Sequence, residues 1–211
     1  MKQRGDTIVE VLFAVTVFSM IAVGGLALMN QGTAMAQRSL EIGLVRDQMD
    51  AQADALRYVH NAYIANYGVD GAQTTDIWTN ITQKHAVTRA QDFSDVSNGE
   101  QCQLPPADPS GSQSDGTPFV LNIKKLDTDP VLTLNQSNAT DTPTYAQVRY
   151  PPEVSAPKAE GIWIQVVHGD PDGTGGKVGF YDFHIRACWL TPGQRAPVTL
   201  GTIVRLYDPK P

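Results

Sequence analysis

Gly5-Asp6-Thr7-Ile8-Val9-Glu10-Val11-Leu12-Phe13-Ala14-Val15-Thr16-Val17-Phe18-Ser19-Met20-Ile21-Ala22-Val23-Gly24-Gly25-Leu26-Ala27-Leu28-Met29 follows four residues that include Lys2 and Arg4. From Val11 to Met29 no side chain is charged. As a helix this run is about 28 Å long at about 1.5 Å per residue, close to the roughly 30 Å of bilayer hydrocarbon. Thr16 and Ser19 do not spoil such a span, because each hydroxyl can bond a carbonyl one turn back. Lys2 and Arg4 lie on the N-terminal side, which keeps that end cytoplasmic and places everything after Asn30 outside. A cleaved secretory signal is the competing expectation, and Ala34-Met35-Ala36 roughly fits its small-x-small cleavage site.

Glu10 separates the two. A carboxylate within a membrane helix costs roughly 2.5–3.5 kcal/mol even on the lenient insertion scale, so an ordinary anchor has no use for it. The string Gly5-Asp6-Thr7-Ile8-Val9-Glu10-Val11-Leu12 resembles the processing site of type IV prepilins and pseudopilins: a short basic leader ending in Gly, then Thr, two aliphatics, Glu and an apolar helix. The resemblance covers roughly the first thirty residues. It implies that a membrane-embedded prepilin peptidase cuts between Gly5 and Asp6 and methylates the new amine. It also implies that Glu10 is the assembly glutamate, pairing with the N-terminal amine of a neighbouring subunit. The partners implied are the peptidase, other pilin subunits, an inner-membrane assembly platform and membrane lipid. Two departures stand out. The family usually begins its mature chain with Phe or Met where this one has Asp6, and Gly24-Gly25 occupies a region where many members carry Pro.

Beyond the span the pattern turns amphipathic. Ile42, Val45, Met49, Leu56, Val59 and Tyr63 follow 3–4 spacing, with the polar Gln52 in one slot, while Arg46, Asp47, Asp50, Asp54 and Arg57 lie mostly off that stripe. The helix should run to about Asn66 and stop at Gly68. A turn-rich stretch follows, with short helices expected near Ile77–Ile81 and Ala90–Val96. Strand signals come next at Phe119–Leu126, Val131–Leu134, Ala146–Tyr150, Ile162–His168, Val178–Leu190 and Val198–Tyr207, with connections that favour antiparallel pairing. Alternation puts Tyr181, Phe183, Ile185, Ala187 and Trp189 on one face, towards the helix stripe. Asp182, His184, Arg186 and Cys188 fall on the other, outer face. The expected fold class is α+β: a long N-terminal helix, half membrane-spanning and half amphipathic, packed on an antiparallel β-sheet head. Its divisions are a leader at 1–5, a transmembrane or filament-core helix at 6–30, the amphipathic half at 31–67, a connecting region at 68–117 and the sheet head at 118–211.

Composition limits the chemistry. The formal net charge is −6 and no Lys/Arg run exists, which argues against nucleic acid as a partner. The two cysteines, Cys102 and Cys188, both fall after the span, on the side where thiols oxidise, and no third competes, so a disulfide between them is expected. No HExxH, Gly-x-Ser-x-Gly or phosphate-cradling Gly loop occurs, so no enzyme is expected. His168 and His184 sit in neighbouring strand candidates near Asp170 and Asp182, the one hint of a metal or acid/base cluster, with scattered surface histidines as the alternative. Asp170-Pro171-Asp172-Gly173-Thr174-Gly175 resembles half of a Ca²⁺ loop, making Asp170 and Asp172 a calcium candidate; no other cofactor is expected. A polar hairpin loop accounts for the same residues. The reading is a structural filament subunit with its head outside, a minor pilin by the size of its head and loops. A pseudopilin of a secretion or DNA-uptake system, a tip adhesin on a pilin stalk and a monomeric anchored domain are the alternatives.

Overall fold

The computed structural model describes residues 6–69, 71–87, 117–123, 126, 130–133, 146–149, 158–169, 179–189 and 196–208. The helix expected near Ala90–Val96 lies outside them. The chain divides into two compact units, Met1–Leu44 and Val45–Pro211.

Helix α1 (Asp6–Ala65) begins at the first described residue and passes through Gly24 and Gly25 without a break. The hydroxyls inside its apolar run return to the backbone as expected. Thr16 Oγ1 donates to the Phe13 carbonyl at 2.8 Å, and Ser19 Oγ to that of Val15 at 2.7 Å. The helix ends where a left-handed residue is needed, since Gly68 has φ +79°, a conformation cheap only without a Cβ.

In the second unit the apolar stripe of α1 meets a sheet. Met49, Ala53, Ala55, Leu56 and Val59 are buried with Phe119, Leu121, Ile162, Ile164, Val166, Phe183, Ile185, Ala187, Val204 and Leu206 in one core, with Val45, Tyr63, Tyr181 and Trp189 partly buried against it. Helix α2 (Gln73–His85) adds Ile77, Trp78 and Ile81. It is longer than the short helix expected near Ile77–Ile81, and its buried positions extend to His85.

The strands are β1 (Ala86–Val87), β2 (Phe119–Leu121), β3 (Val131–Thr133), β4 (Ala146–Arg149), β5 (Lys158–Gly169), β6 (Phe180–Trp189) and β7 (Val198–Tyr207). The main path runs β3-β2-β5-β6-β7. The β5 strand organises the sheet. One edge pairs with β6 from Gly161↔Cys188 to Gly169↔Phe180. The other is shared by three short strands: β4 along Lys158–Gly161, β2 at Ile164 and β1 at Val166 and Val167. All pairings are antiparallel except β1 with β5, which is parallel and was not expected.

Alternation along β6 holds: Phe183, Ile185 and Ala187 enter the core, and Asp182, His184 and Arg186 do not. Cys188 was expected on the outer face, and that face is closed around it. Cys188 is fully buried, as are Val120, Trp163 and Gln165, none of which belongs to the helix-side core. Trp163 and Gln165 alternate with the core residues Ile162, Ile164 and Val166, so this end of the sheet is buried on both faces.

The polar slot in the stripe has a clear role. Gln52 is 1% exposed, donates through Nε2 to the Leu121 carbonyl at 2.9 Å, and accepts through Oε1 from the Leu121 N–H at 2.9 Å. Its amide thus mimics a strand residue, satisfying both backbone groups of Leu121 and fixing the rotation of α1 against β2. Substituting Gln52→Leu keeps the bulk and removes both bonds. The expected loss is about 2–6 kcal/mol, from two buried backbone groups at about 1–3 kcal/mol each. Denaturant unfolding of the detergent-solubilised chain measures it, and a change under about 0.5 kcal/mol would contradict the assignment.

Candidate functional site

The feature with most functional content in the first unit is the surface of α1. Ile8, Val9, Val11, Leu12, Phe13, Val15, Val17, Phe18, Met20, Ile21, Val23, Leu26, Leu28 and Met29 are all exposed, and they point in every direction around the helix. A soluble helix shows one apolar stripe; one apolar all round requires hydrocarbon or other helices on all sides. The segment is long and apolar enough to cross a membrane. The next charged residue after Glu10 is Arg38, so the uncharged stretch is about 40 Å long as a helix, more than the roughly 30 Å of bilayer hydrocarbon. Glu10 lies in the second turn of α1, exposed, within the apolar run. Gly5 lies outside the described residues, and Asp6 is the first residue of the helix.

In the head, the strand register decides whether the two histidine candidates can cooperate. His168 pairs with Tyr181 and His184 with Gln165. His168 is therefore on the helix side of the sheet and His184 on the outer side, so the two imidazoles cannot share a ligand. Asp182 is committed elsewhere. Its carboxylate accepts from Arg205 Nε and Nη2, both at 2.7 Å, and the guanidinium also lies 4.0 Å from the centre of the Phe180 ring. Among the described residues no group of His, Cys, Asp and Glu could hold a metal ion. Asp170 and Asp172 lie outside those residues. Burial, with Arg186 adding to it, lowers the pKa of His184, and Asp182 opposes the shift.

The sequence reading did not find the cluster at the C-terminal end of α1. Trp78 contacts His60, Tyr63, Tyr181 and Phe183, with ring centroids 4.9–5.8 Å apart. His168 stacks on Tyr181 at 4.6 Å, and its Nε2 lies 3.8 Å from Asp208 Oδ2. Three contacts hold the end of β7 in place: the Asp208 N–H donates to the Gly179 carbonyl, the Tyr207 carbonyl accepts from His60 Nε2 at 2.8 Å, and Asp208 approaches His168. Burial pushes Tyr181 up to about 12, with Asp208 contributing, while a hydrogen bond with Thr82 lowers it and the phenol of Tyr63 raises it. The signal available in sequence was the recurrence of aromatic and His residues at 60, 63, 78 and 181. Only the fold brings them together.

Cys188 is disulfide-bonded, while Cys102 lies outside the described residues. No protein-family model matches this chain, and no curated protein or solved structure shows significant similarity to it.

Asp208 gives this end of the head a pH dependence. Burial raises its pKa above the ordinary value of 3.8, with His168 and His60 pulling it partly back. A raised carboxyl favours the protonated fold, so its contribution is fully present below pH 3.8 and is lost as pH rises through the folded value. At neutral pH the half-buried, ionised carboxylate has lost that contribution. Asp208→Asn should therefore be more stable than the wild type at pH 7, with the difference vanishing in acid; thermal unfolding across that range measures it. A variant less stable at pH 7 would show that the His168 contact outweighs burial.

Proposed function

We propose that this chain is a structural subunit of a type IV pilus or pilus-like filament, in the class of minor pilins, whose head is displayed outside the cell. The observation that carries the reading is Glu10 within a helix that is apolar on all sides, preceded by Lys2, Arg4 and Gly5. On this reading the helix has two successive environments. Lipid covers it while the subunit waits in the membrane, and neighbouring helices cover it in the filament. Processing removes the leader after Gly5 and leaves a methylated amine on Asp6. Extraction into the filament removes Glu10 from any aqueous interface. An unpaired carboxylate is costly there, so pairing with the amine of a neighbour selects the axial stagger. The carboxylate sets registry more than it adds net stability.

Gly24-Gly25 has a place in the same scheme. Each Gly costs roughly 0.8–1 kcal/mol relative to Ala in a helix, so two in succession mark the point most easily loosened when subunits pack. A filament map should show the helix interrupted there.

The disulfide at Cys188 accords with a head outside the cytoplasm. We assign its partner as Cys102, the second of the two cysteines. Closing a loop of that length is worth roughly 4.5 kcal/mol in the chain-entropy account. Thiol labelling of the native protein without reductant should find neither cysteine reactive; two reactive thiols would exclude the bond.

Glu10→Ala tests the functional reading. Removing a charge from the apolar run eases membrane insertion, so insertion should be intact while incorporation into filaments falls. Filaments carrying the variant at wild-type levels would contradict the registry role.

A further inference from the structure

We draw no further inference here: the strongest candidate, the outer face of the sheet around Val120, Trp163, Gln165 and Cys188, is fully buried, and nothing among the described residues shows what covers it.

Discussion

The first constraint on this protein is an α-helix whose apolar side chains, from Ile8 to Met29, are exposed in every direction. Water cannot solvate such a surface without a large penalty, since each fully exposed aliphatic or aromatic side chain forgoes about 1.5–3 kcal/mol of burial. The segment therefore needs lipid or other helices around it. Its internal hydroxyls, on Thr16 and Ser19, already bond their own backbone, which removes the polar cost that an apolar environment would otherwise impose on them. Glu10 is the one group that conflicts with this environment, and the proposed function assigns that conflict a use.

The head solves a separate packing problem with the rest of the same helix. The stripe from Val45 to Tyr63 covers one face of the sheet, and two polar residues within it tie the helix to particular strands. Gln52 completes the backbone bonding of Leu121, and His60 bonds the carbonyl of Tyr207. Apolar burial alone would tolerate small rotations of the helix. Two directional anchors eight residues apart, one on β2 and the other on the edge strand β7, restrict them.

Much of this was readable in the residues, for physical reasons that also mark where reading stopped. The stripe was legible because its 3–4 period runs over six apolar positions, and β6 and β7 because one-sided burial imposes alternation. The β1 strand was not, since two residues carry no period and its parallel partner is about eighty positions away. The first residues of β5, Lys158-Ala159-Glu160, were missed because they join through backbone pairing with β4 and have no apolar pattern. The two histidines near Asp182 were adjacent in expectation and separated by register, a property that a one-residue shift reverses. Gln52 was visible as a polar residue in an apolar slot, but its partner across the fold was not. The buried outer face around Trp163 and Cys188 carried a signal that alternation alone could not interpret.

The central claim is that the exposed apolar helix belongs to a processed filament subunit and is retained in the mature chain. The N-terminal residue and intact mass of the protein isolated from its native cells test this most directly. The account requires a chain beginning at Asp6 with a mass increment of one methyl group on its terminal amine. A mature chain beginning near Gln37, after Ala34-Met35-Ala36, would mean that the apolar run is a discarded secretory signal, and would contradict it.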